Sequence, residues 1–113
     1  MVEVVGSDEF VEWFESLDDS EMDAVARVVD MLEMQGPTLP FPYSSAIKNA
    51  QMALRELRVQ SRGRPLRVFY AFDPIRQAVL LIGGDKTGDD RFYERMIPLA
   101  AQIWVRYLEE IGQ

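Results

Sequence analysis

Residues 56–73 read ELRVQSRGRPLRVFYAFD, two runs of strand-like alternation on either side of the turn-forming stretch SRGR (61–64). If 61–64 is a four-residue loop, Gln60 pairs with Pro65 and Arg58 lies directly across from Arg67. Leu57 and Val59 then share a face with Leu66 and Val68, while Glu56, Arg58 and Gln60 share the other with Arg67 and Phe69. A slip of one residue would mix the two sets, so the pattern itself favours this register. Two guanidinium groups facing each other across a strand pair repel. Something anionic is needed between them, and either Glu56 or a bound phosphate would serve.

Working outward, AVLLIGG (78–84) supplies a third strand and completes an antiparallel meander. At the start of the chain VEVV (2–5) is a short strand. Ser7 or Asp8 then caps a helix carrying Phe10, Trp13, Phe14 and Leu17 at helical spacing. Asp18-Asp19-Ser20 breaks and recaps the chain into a second helix. Its apolar stripe reads Met22, Val25, Ala26, Val29, Leu32, and it ends before Gly36-Pro37. So short a connection predicts a hairpin of helices. Residues 36–47 contain three prolines and read as an irregular loop. After GGDKTGDDRFY (83–93), helical spacing runs through Phe92, Met96, Leu99, Ala100, Ile103, Tyr107 and Ile111, with Pro98 as a kink or a starting point. Trp13, Phe14, Phe92 and Trp104 read as core. Phe41 and Tyr43, in the proline loop, are expected to close the core edge, with stacking on a base as the alternative. The fold class is α+β: an N-terminal strand and helix hairpin on an antiparallel sheet, with a C-terminal helix.

Composition bounds the function. The 113 residues, 48 % of them hydrophobic, suit one domain spanning 1–113. No apolar run approaches a membrane span and no secretory segment opens the chain, so a cytoplasmic protein with no membrane partner is expected. Cysteine and histidine are absent, which excludes disulfides, Cys nucleophiles, Cys/His zinc sites and the Ser-His-Asp triad. Any acid–base work falls to Tyr, Lys, Arg, Asp or Glu. The net charge of −7 argues against a nucleic-acid partner, but it is unevenly spread. Residues 1–40 hold 11 acids and one base, Arg27, whereas 41–113 hold 11 bases and 8 acids.

GGDKTG fails as a phosphate loop, because Asp85 stands where the second glycine belongs. Asp85, Asp89 and Asp90 do not have calcium-loop spacing and are expected to cap the following helix, so neither metal nor cofactor is expected. The cations Arg58, Arg67, Lys86 and Arg91 are a different matter. A charge cluster on a small domain is ordinarily a solvated face. Here two members lie on adjacent strands, one follows the last strand, and Tyr93 enters the last helix just beyond. A tyrosine flanked by cations can act as a general base or hold an attacking hydroxyl, with nearby positive charge favouring its phenolate.

The order ELR, RVFYAF, then DKTGDDRFY resembles the toxins of bacterial type II toxin–antitoxin modules, in the HigB-like, phage-protein-like branch of the RelE/ParE superfamily. The resemblance implies a RelE-like compact domain acting as a ribosome-dependent mRNA endonuclease, in which a 2′-hydroxyl attacks the neighbouring phosphate. It makes Arg67, Lys86 and Tyr93 catalytic, and Arg58 and Arg91 RNA- or phosphate-binding. It also implies partners: the ribosome and mRNA, a helix-turn-helix antitoxin, and operator DNA only through that antitoxin. The alternative is a non-enzymatic binding protein, either a ParE-like gyrase inhibitor or an inactive relic that binds its antitoxin.

Overall fold

A computed structural model describes residues 1–48 and 50–112. The elements run β1 (Val4–Gly6), α1 (Asp8–Glu15), α2 (Asp19–Gln35), a 3-10 turn (Gly36–Thr38), β2 (Ser44–Ala46), β3 (Arg55–Ser61), β4 (Arg64–Phe72), β5 (Ala78–Asp85) and α3 (Phe92–Glu110). Five strands form one sheet in the order β1-β5-β4-β3-β2. The α+β class holds, and β3-β4-β5 is the antiparallel meander that the alternation predicts. β1 pairs parallel to β5, which makes the sheet mixed. Parallel neighbours need a long connection, and here α1, α2 and strands β2 to β4 lie between them.

The register of the β3–β4 hairpin is the one the sequence specifies: Gln60 opposite Pro65, Arg58 opposite Arg67, Val59 opposite Leu66. The loop is shorter than four residues, because Ser61 also pairs with Arg64. Arg62 and Gly63 turn the chain alone, both at positive φ (51° and 79°), the backbone that a two-residue hairpin of right-twisted strands requires. At the other end Asp73 shapes the β4–β5 turn, its Oδ1 accepting from the amides of Ile75 (3.1 Å) and Gln77 (2.8 Å).

The sheet is buried on both faces. On one, α1 lies over β5 and α2 over β3, so Phe10, Val25, Val28 and Leu32 meet Leu57, Val59, Leu66, Val68 and Leu80. On the other, α3 sets Phe92, Met96, Ala100, Ile103 and Trp104 against Phe69, Ala71, Val79 and Leu81. Ser7 caps α1, and Asp18 with Glu21 forms a reciprocal capping box on α2. The buried stripe of α2 is Glu21, Ala24, Val25, Val28 and Leu32. The expected Ala26 is exposed instead, since apolar residues ring this helix and spacing alone does not choose among its faces.

Three further expectations change. No aspartate caps α3: its N-cap is Arg91, whose amide donates to Asp89 Oδ1 (3.0 Å), while Asp85 closes a turn by accepting from Thr87. α3 begins at Phe92 and runs through Pro98, which is exposed, so water can solvate the carbonyl that proline leaves unpaired. The proline loop contains β2, a three-residue edge strand held by β3. Among the described residues no helix is long and apolar enough to cross a membrane.

Candidate active site: a carboxylate between two arginines

Gly83 and Gly84 explain how α1 and α3 come so close to β5. A Cβ on Gly83 would stand 2.3 Å from the Trp13 ring of α1, and one on Gly84 would stand 2.9 Å from Phe92 of α3. The glycine pair is therefore a packing device with one contact on each face of the sheet. Seating Phe92 on Gly84 also brings the next residue, Tyr93, over the β3–β4 hairpin, where it meets Phe69 edge-on.

The Tyr93 hydroxyl donates to Oε1 of Glu56 at 2.7 Å. Glu56 lies two residues before Arg58 on the same face of β3. Its Oε2 accepts from Ser45 Oγ (3.0 Å) and stands 3.5 Å from Arg58 Nη1. Its Oε1 stands 3.6 Å from Arg67 Nε. The cross-strand arginine pair is thus bridged by the carboxylate that the sequence offered as one of two solutions. Glu56 and Arg67 are both buried. Arg67 Nη1 donates to the Leu66 carbonyl (3.0 Å), but its Nε is buried with no hydrogen-bond partner. The nearest acceptor to this donor is Glu56, too far for a hydrogen bond, so an anion that displaced the Glu56 carboxylate could satisfy it.

Of the five residues singled out in the sequence, four gather here: Arg58, Arg67, Lys86 and Tyr93. Lys86 Nζ lies 5.3 Å from the centroid of the Tyr93 ring, positioned by its amide, which bonds the Pro65 carbonyl at 2.9 Å. Arg91 does not join them. It is exposed at the start of α3, and among the described residues it makes no ion pair and no ring contact.

The electrostatics of Tyr93 also differ from expectation. Burial raises the phenol pKa above its ordinary value, and the hydrogen bond to Glu56 raises it further, outweighing the pull of Arg67. Burial first, and then the Glu56 carboxylate, disfavours the phenolate. In this arrangement Tyr93 is a neutral hydrogen-bond donor.

Outside Glu56 the wall opens into a groove of about 560 Å³ bounded by Phe41, Ser45, Lys48, Arg58, Tyr93 and Ile97. Phe41 does not close the core edge: it is 68 % exposed, and the guanidinium of Arg58 lies 5.2 Å from its ring centroid. Ser45 gave no sequence signal as a site residue, because three-residue β2 carries no alternation, whereas the exposed ring of Phe41 leaves open the base-stacking alternative for the proline loop. Among the described residues no group of three or more acidic side chains could hold a metal ion.

A family model described as "Phage derived protein Gp49-like" matches residues 12–105. The chain belongs to this Gp49-like family. Two relatives come from Mycobacterium tuberculosis strain H37Rv. One, named "Putative toxin HigB3", is 42 % identical over 92 residues, covering 80 % of this chain and 79 % of the relative. The other, named "Putative toxin HigB2", is 32 % identical over 101 residues, covering 87 % of this chain and 50 % of the relative. This Gp49-like chain is therefore of the HigB-like toxin kind that its sequence resembles. The family match takes in the β3–β4 hairpin, Lys86 and Tyr93, and so the whole arginine–carboxylate–tyrosine cluster.

Proposed function

We propose that this Gp49-like protein is the toxin of a type II toxin–antitoxin module, a ribosome-dependent mRNA endonuclease that inhibits translation and is neutralised by a helix-turn-helix antitoxin. The observation that carries the reading is Glu56, an anion bound between two cross-strand arginines beside an open groove. A scissile phosphate in the same position would meet Arg58 and the free Nε of Arg67. The 2′-oxygen of the substrate attacks phosphorus as the bond to the 5′-oxygen breaks, leaving a cyclic phosphate and a 5′-hydroxyl. Glu56, displaced from the arginines by the phosphate, accepts the 2′-hydroxyl proton. Tyr93, as a neutral phenol, passes its proton to the departing 5′-oxygen and regains it from solvent, while Lys86 stabilises the charge that develops there. Arg91, at the mouth of α3, holds a flanking phosphate.

Cleavage of mRNA on translating ribosomes tests this. Tyr93→Phe and Arg67→Ala are each expected to lower the rate by about 10²-fold or more. Undiminished cleavage in both variants removes the assignment. One observation favours a non-enzymatic reading: Glu56 already neutralises the arginines and engages the tyrosine. Inhibition of gyrase supercoiling without mRNA cleavage would select a gyrase inhibitor. Antitoxin binding with no effect on growth would select a relic.

A further inference from the structure

Phe41 is the part of the groove that the phosphate chemistry leaves unused. A phenylalanine 68 % exposed forgoes the burial that usually decides where the residue sits. It is nevertheless well fixed. Pro40 and Pro42 flank it, and the turn is pinned by Tyr43 and Ser44 amides on the Pro40 carbonyl (3.0 and 3.1 Å). The Arg58 amide on the Tyr43 carbonyl (2.8 Å) ties the same turn to β3. The ring is therefore held out toward solvent by a rigid segment. Arg58 connects it to the site, with one guanidinium 3.5 Å from Glu56 and 5.2 Å from the Phe41 centroid.

A phosphate taken up by Arg58 carries its nucleoside to the adjoining ring. We propose that Phe41 is the stacking platform for the nucleobase beside the scissile phosphate, and that the groove accepts single-stranded RNA there with little regard to base identity. The proposal rests on the endonuclease reading for the word scissile. The stacking itself requires only a bound single strand. Every base presents a π-face, so a platform of this kind orders the strand without reading it, favouring purines modestly through their larger rings. Stacking of one base is worth about 1–3 kcal/mol, or roughly 5- to 150-fold in affinity.

The test uses the full chain and a short RNA whose attacking hydroxyl is blocked as a 2′-O-methyl group, with 2-aminopurine beside the blocked linkage. The wild type is expected to bind it with a change in 2-aminopurine fluorescence. Phe41→Ala and Phe41→Leu are expected to weaken binding by about 10-fold and abolish the fluorescence change. Phe41→Tyr keeps both, and exposure of the ring makes all three variants safe for folding. Failure of the wild type to bind, or equal binding and fluorescence in the Ala and Leu variants, overturns the platform. The two readings fail separately. Phe41-dependent stacking without ribosomal cleavage removes only the endonuclease, and cleavage that is lost in Tyr93→Phe but unaffected by Phe41→Ala removes only the platform.

Discussion

At Glu56 a single carboxylate serves Tyr93, Ser45 and two arginines, so its removal leaves more than a missing bond. Arg67 would stay buried opposite Arg58 with no counter-charge. Breaking such a pair costs about 3 kcal/mol or more, and we expect Glu56→Ala to lose that much in urea denaturation. Added phosphate or sulfate should restore part of the loss if the site accepts an anion. Equal stability of the variant with and without the salt, against a chloride control of matched ionic strength, would remove the anion site. Tyr107 provides a separate check in a different environment. Burial, then its hydrogen bond to Asp73 (2.8 Å), raises its pKa to about 12 from an ordinary 10.0. A raised pKa means that the folded state holds the proton longer. The stabilisation is complete below pH 10 and is lost as pH rises through about 12. Alkaline denaturation in that window should be shallower for Tyr107→Phe than for the wild type, and parallel curves would contradict the assignment. Arg58, Arg67 and their need for an anion were legible from residue order alone. The protonation of Tyr93 was not, because it depends on how deeply the phenol is buried and on its hydrogen bond to Glu56.

Among the elements, β5 shows how little room the packing leaves. Trp13 and Phe92 press on adjacent glycines from opposite faces. Gly83→Ala is expected to destabilise the fold by about 2 kcal/mol, the range for overpacking a well-filled core. Trp13→Ala in the same chain should make the added methyl group far less costly, so a double-mutant cycle would show strong coupling. Additive effects would mean that the glycine answers to something other than the indole. The hairpin β3–β4 could be read from the sequence because alternation, turn chemistry and charge all specify one pairing. β2 could not, since three residues bounded by prolines show no period. The buried face of α2 was ambiguous for the opposite reason. Ala24, Ala26, Val28 and Val29 are all apolar, and only docking on β3 decides that Ala24 and Val28 turn inward while Ala26 stays out.

Over the whole molecule the excess of acid is confined to the part of the chain that forms β1, α1 and α2. The helices lie on the face of the sheet away from α3, whereas the Glu56 cluster lies under the start of α3. Arg64 joins the halves through Glu21 (2.6 Å), and Arg106 joins them through Glu9. The net charge of −7 is thus a poor guide to the groove, where Lys48 and Arg58 line the wall and Lys86 sits on Tyr93. Three such cations neutralising phosphates give a slope of about −2 for log affinity of single-stranded RNA against log salt. Titration of the blocked oligonucleotide at several salt concentrations measures it. A slope near zero would mean that the charges take no part in binding.

The pairing of Arg58 with Arg67 also governs how the protein goes wrong. One strand register buries Leu57, Val59, Leu66 and Val68 and at the same time assembles the arginines around Glu56. A slip of one residue in either strand turns that strand's apolar pair to the opposite face of the sheet and dismantles the cation pair in the same event. Packing and site are thus expected to be lost together when the hairpin loses its register.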